Sequence, residues 1–247
     1  MLHAISQRKA RLDVFRGAGT RLPLEDVVTS SVFGTLSLLR PADQLDALER
    51  VFRAMDMPLP AWRAPPQIHL WRKREMKMTG FRDHYIEPDV EISDSNGVTL
   101  LIEIKWGAPL GKRELSAQWL SLKDKAQKKG GHLLLTLKPG SYNAAIEDER
   151  ITVDEHCTVR WPLEHRTWRD FGQACRSVAA EIDIEPSIRA WTQQVYLFLL
   201  REDPETLQGW RNLRLPKVEM FFGSFQPSWF SNSESIKNTE WRFCPDE

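Results

Sequence analysis

The chain has 247 residues, 41% of them hydrophobic, which suits one large core or one core with an appendage and excludes a mini-protein or a disordered tail. Thirty-four Lys and Arg balance thirty-four Asp and Glu, so no global charge drives it onto nucleic acid or an anionic membrane, and a polyanion must be met by a local patch. Cys157, Cys175 and Cys244 are odd in number and lack CxxC spacing, which argues against a disulfide framework and against a four-cysteine metal site.

The longest apolar run, 195–200, is far short of the ~20 residues that span a bilayer, and no apolar stretch follows the N-terminus as in a secretory signal. A cytoplasmic location is therefore expected. Residues 1–24 carry Arg8, Lys9, Arg11, Arg16 and Arg21 against Asp13, the pattern of a solvated basic arm or of a targeting segment. A helix is predicted over 23–39, with Pro23 in its first turn and a stripe of Val28, Val32 and Leu36, and a second over 43–55. Pro58, Pro60, Pro65 and Pro66 make a connector. Strands are predicted over 67–74, 88–93 and 98–106, with Ser95, Asn96 and Gly97 as a turn. Leu115, Trp119, Leu122 and Ala126 set a helical stripe over 110–129 that Gly130 and Gly131 close. A strand follows over 132–137, and another from 158 to 165 enters a helix near Trp168. Pro186 opens a last helix, apolar nearly all round. With the second helix set aside as an insertion, the order is helix, three strands, helix, strand, which makes an α/β protein with a mixed sheet between helices. The division expected is an arm at 1–24, a core at 25–175 and a helical, aromatic-rich extension at 176–247.

The hairpin register follows from the side-chain alternation, because a slip of one residue exchanges the two faces. A two-residue turn at Asn96 and Gly97 would set Asp89 opposite Ile104 and mix charge with apolar groups on both faces. A three-residue loop with Gly97 in the left-handed region instead pairs Ile92 with Leu100, Val90 with Ile102 and Pro88 with Ile104. The other face then sets Ser93 opposite Thr99, Glu91 opposite Leu101, Asp89 opposite Glu103 and Glu87 opposite Lys105. Opposed carboxylates destabilise an ordinary sheet surface, and a bound divalent cation is a reason to keep them. Oxygen ligands on rigid strands suit Mg2+ or Mn2+, and Lys105 on the same face could orient water or neutralise charge developing on phosphorus.

Pro88-Asp89 followed by Glu103-Ile104-Lys105 resembles the PD-(D/E)xK nuclease superfamily, whose core has the same order of helix, three strands, helix and strand. The resemblance covers roughly half the chain. It implies a restriction-endonuclease-like fold and Mg2+-dependent cleavage of phosphodiester bonds, most often in DNA, in a setting such as phage defence, restriction or a mobile element. It implies Asp89 and Glu103 as metal ligands with Lys105 beside them. An acid on the first helix often joins the metal site, and Glu25 is first choice with Asp26 as fallback. A glutamine on the helix after the lysine corresponds to Gln118, although the tyrosine that follows it in an exonuclease-like subgroup is replaced by Leu122.

Competing readings exist for each of these residues. Lys105 could pair with Glu87 on an exposed strand, Glu25 could be a helix-start acid favoured by the macrodipole, and Gln118 could be structural or a solvated edge residue. The stretch from Gly107 to Arg113 is not a P-loop, since the glycine spacing is one residue short and no Ser or Thr follows the lysine. His156, Cys157 and His165 lack a clear fourth zinc ligand. Lys112, Arg113 and Lys123 on the helix over 110–129, and Arg72 and Arg74 before it, are the candidate phosphate contacts. The segment 210–247, with Trp210, Trp229, Trp241 and five phenylalanines, could pack on the core, meet a protein partner or a second copy, or stack on bases. The contrasting function is a nuclease-fold subunit that binds nucleic acid or assembles a complex while a partner does the chemistry.

Overall fold

The computed structural model describes residues 25–75, 85–122, 129–138, 140, 142–152 and 161–202. The basic arm, Lys123, His156, Cys157 and the aromatic segment from 210 onward lie outside the described residues. The chain divides into two units, 1–208 and 209–247, and the description below concerns the first.

Two helices, α1 (Glu25–Leu36) and α2 (Pro41–Ala54), precede the strands. Pro41 opens α2, where a missing N–H costs nothing. The first strand, β1 (Gln67–Leu70), ends at Trp71, whose φ of 52° lies in the left-handed region and breaks the extended run expected to reach residue 74. Arg74 and Glu75 form β2, paired with β3 (Tyr85–Ile86) in a small separate sheet that the alternation did not reveal.

The main sheet adds β4 (Val90–Ser93), β5 (Thr99–Lys105), β6 (Gly131–Thr136) and β7 (Leu163–Thr167), in spatial order β1-β4-β5-β6-β7. The first three of these run antiparallel and the last two pairings are parallel. The β4–β5 register is Val90 with Ile102, Glu91 with Leu101, Ile92 with Leu100 and Ser93 with Thr99, as the sequence implied. Gly97 closes the loop at φ 79°, with its N–H on the Asp94 carbonyl and the Asp94 N–H on Val98. Helix α3 (Glu114–Leu120) lies between β5 and β6, α4 (Asn143–Thr152) lies between β6 and β7, and α5 (Trp168–Ala179) leaves β7 directly. Thr167 and Asp170 make a reciprocal capping box there, which lets the strand turn into a helix without a loop.

Each face of the sheet carries its own core. Val90, Ile92, Leu100, Ile102 and Ile104 are fully buried on one face. Trp106, next in this alternation, meets Trp168 edge-on, and Trp168 meets Phe171, which reaches Phe33 of α1. On the opposite face Leu101 and Leu134 join Leu115, Trp119 and Leu122 of the α3 region with Ile146, Trp161 and Leu163. The result is a restriction-endonuclease-like α/β sheet flanked by helices.

Helix α6 (Pro186–Glu202) is apolar nearly all round and was expected to be buried nearly all round, but Leu197 is 48% exposed. One broad face, with Trp191, Val195, Tyr196 and Leu199, packs on α5, α2 and α1, and the Trp191 indole donates to the Val32 carbonyl at 3.1 Å. Among the described residues no helix is long and apolar enough to cross a membrane.

Candidate active site

The site begins where the β4–β5 ladder opens. The last paired residues are Val90 and Ile102, and the same register would place Pro88 across from Ile104. Proline has no N–H to give the Ile104 carbonyl on that rung. The Ile104 N–H donates to the Asp89 side chain, at 2.8 Å from Oδ2, while the Asp89 carbonyl accepts the Trp71 N–H at 3.1 Å. Pro88 thus interrupts the strand at the residue whose carboxyl must face the neighbouring strand, and two backbone bonds hold Asp89 in place.

Lys105 is the hub. Its Nζ lies 2.5 Å from Glu103 Oε1, 3.1 Å from Glu114 Oε1 and 3.9 Å from Glu25 Oε1. Glu25, at the start of α1, uses Oε2 to accept the Trp106 N–H at 2.8 Å, just past the end of β5. The helix expected from 110 begins only at Glu114, because Arg113 sits at φ 60° and cannot continue an α-helix backward. That bend turns Glu114 back over the loop, where its Oε2 accepts the Gly111 N–H at 2.7 Å. Glu114 was not among the residues expected from sequence.

Burial and crowding of acids set the electrostatics. Burial raises the Asp89 carboxyl to about 7, the Ile104 N–H opposing and the Glu25 charge adding to the rise. Glu103 is pushed well above the carboxylate range by burial, then by Asp89 and Glu114. Glu25 is raised by burial against the pull of the Trp106 N–H. Burial alone would lower Lys105, but Glu103 and Glu114 beside it more than offset this, so the ammonium is kept above its ordinary value. Among the described residues this group holds more carboxyls than the Lys105 ammonium can neutralise.

Gln118 is buried against this group, not a solvated edge residue. Leu115, Trp119 and Leu122 anchor the inner face of α3, and Gln118 between them donates from Nε2 to Glu103 Oε2 at 2.6 Å. Its Oε1 lies 3.1 Å from Nε2 of His132, and the Trp161 indole donates to His132 Nδ1 at 3.2 Å. His132 is fully buried and pushed down to about 3 by that burial, so its ring is neutral. Neither His132 nor Trp161 carries a local sequence signal. A histidine opening an apolar strand reads as core, and only the docking of α3 brings Gln118 to it.

The expected phosphate contacts are placed in different ways. Arg74 pairs with Glu91 at 2.6 Å, and Arg72 reaches the same carboxylate at 3.3 Å while remaining half exposed. Glu91 is buried two residues from Asp89, so both guanidiniums are anchored at the edge of the acid face. Lys112 is exposed beside the site loop, and Arg113 is partly buried. His165 hydrogen-bonds Thr136 at 2.9 Å.

Among the described residues no group of three or more His, Cys, Asp and Glu is arranged to hold a metal ion by itself. Asp89 and Glu103 nevertheless offer two hard oxygen donors whose ionised forms burial disfavours, a donor set that fits Mg2+ or Mn2+, which commonly use one or two carboxylates and complete their shell with water and substrate oxygens. No family model matches the chain, and no curated protein or solved structure is significantly similar to it.

Proposed function

We propose that this chain is a metal-dependent nuclease of the PD-(D/E)xK kind, with DNA the favoured substrate and Mg2+ or Mn2+ the cofactor. The observation that carries the reading is the pair of buried carboxylates, Asp89 just before β4 and Glu103 on β5, with the Lys105 ammonium on Glu103. Burying acids beside one another disfavours their ionised forms, so the arrangement serves a cation better than it serves the fold.

A divalent ion on Asp89 and Glu103 would polarise a phosphoryl oxygen and make a bound water more acidic. Lys105 stays protonated between Glu103 and Glu114, so it acts as a hydrogen-bond donor to the attacking water or to the oxygen that gains charge on phosphorus. Glu25 lies within reach of the same ammonium and fixes the end of β5 through Trp106. Arg72 and Arg74, held on Glu91, together with Lys112, Arg113 and Lys123, are the residues assigned to backbone phosphates. The segment 210–247 is assigned to a protein partner or to self-association, and the setting is prokaryotic defence, restriction or a mobile element.

The test incubates purified protein with circular DNA, linear DNA and RNA in Mg2+, Mn2+ or chelator. Metal-dependent cleavage that Asp89→Ala and Glu103→Ala both abolish, with circular dichroism unchanged, is expected. Full cleavage by Asp89→Ala ends the hypothesis, and nucleic-acid binding without cleavage in any metal would favour the assembly-subunit reading.

A further inference from the structure

Behind the proposed metal site runs a chain of hydrogen bonds whose direction can be worked out from donor chemistry alone. An indole N–H can only donate, so the 3.2 Å contact from Trp161 makes His132 Nδ1 an acceptor. A neutral imidazole with an accepting Nδ1 carries its proton on Nε2. That proton points at Gln118 Oε1, 3.1 Å away, which leaves the Gln118 NH2 to face Glu103 Oε2 at 2.6 Å. The other Glu103 oxygen is held by Lys105 at 2.5 Å. The stacking of Trp119 on the His132 ring, with centroids 6.3 Å apart and planes 11° from parallel, restrains the imidazole from the side.

We propose that His132 and Trp161 are positioning residues for the nuclease site: Trp161 locks His132 as the Nε2–H tautomer, and that tautomer decides which end of the Gln118 amide meets Glu103. The inference rests on the nuclease reading for its consequence and on geometry for its mechanism. With the opposite tautomer, an Nδ1–H would confront the Trp161 N–H, and Nε2 would accept from the Gln118 NH2. The amide would turn over and set its oxygen against Glu103 in the ionised form that a cation needs. Glu103 would then lose a donor and gain a repulsive neighbour, moving away from the orientation that Lys105 and a cation require.

The experiment reads the tautomer first, in metal-free protein. Long-range proton–nitrogen spectra of histidine-labelled wild type are expected to show His132, assigned by its absence in His132→Gln, as a neutral Nε2–H ring from about pH 5 to pH 8. Trp161→Phe keeps an aromatic ring but removes the donor, and should give the Nδ1–H form or a mixture, with Mn2+ affinity weakened roughly 10- to 100-fold by calorimetry. His132→Gln supplies an amide NH2 where Nε2–H stood and should keep most of that affinity. An Nδ1–H or charged His132 in the wild type overturns the proposal even if every variant fails to fold. So does a Trp161→Phe protein that changes tautomer yet binds Mn2+ like the wild type. Absence of Mn2+ binding by the wild type would overturn the nuclease reading and with it the metal consequence, while the tautomer lock stands or falls on the spectrum.

Discussion

Asp89→Asn should make the metal-free protein more stable at neutral pH, although it removes a residue on which the proposed activity depends. The side chain is buried, and burial raises its pKa from 3.8 to about 7. Folded protein therefore keeps a proton on Asp89 where the unfolded chain has lost it. The contribution of this group to stability is full below about pH 4 and falls as pH rises to about 7. A shift of roughly three units at about 1.4 kcal/mol each gives a loss of up to about 4 kcal/mol. Glu103, raised by the same burial, adds a loss of the same sign. His132, pushed down to about 3, contributes the opposite slope below its unfolded pKa, so the quantity to read is the difference between Asp89→Asn and wild type. Urea unfolding in chelator should find the two proteins nearly equal at about pH 4, with Asp89→Asn ahead by a few kcal/mol at about pH 8. Saturating Mn2+ should remove the wild-type deficit, since a cation that binds only the folded state restores what ionisation costs. Parallel pH profiles for the two proteins would refute the argument that burial holds Asp89 protonated.

Lys105→Met should depress single-turnover cleavage strongly while DNA and Mn2+ affinity change much less; equal rates would reduce Lys105 to an ion-pair partner. Glu114→Gln preserves an acceptor for the Gly111 N–H but removes the second charge from Lys105, so the cleavage step should slow about tenfold with the melting temperature nearly unchanged. Arg74→Ala leaves the buried Glu91, among the described residues, with the half-exposed Arg72 and should cost about 2 kcal/mol in urea unfolding, less than the loss of a fully buried partner. A chain ending at Gln208 should keep the fold and Mn2+ binding and lose association in size-exclusion or pull-down; early melting would instead assign the tail to core packing.

The hairpin was legible because its determinants are local. Period-2 alternation, a turn glycine and the incompatibility of Asp89 with an apolar face leave one register that separates Ile92, Leu100, Val90 and Ile102 from the acids, and the sheet adopts it. The same pattern placed Asp89, Glu103 and Lys105 together, and the helix stripe of Leu115, Trp119 and Leu122 put Gln118 beside the core. Other relations had no local trace. The Glu25 carboxylate meets the Trp106 N–H across 81 positions, and the Trp161 indole meets His132 across 29, because sheet order and helix docking bring them together and no periodicity encodes either. The start of α3 moved to Glu114 because the loop before it takes a left-handed turn at Arg113, a residue whose type does not call for one. The sequence by itself determined which strand face carries the acids, since a side chain's face depends only on its neighbours along the strand. Tertiary structure alone decided which groups complete the site, since Glu114, His132 and Trp161 reach it only after burial of the Leu101 face pulls α3, β6 and β7 against one another.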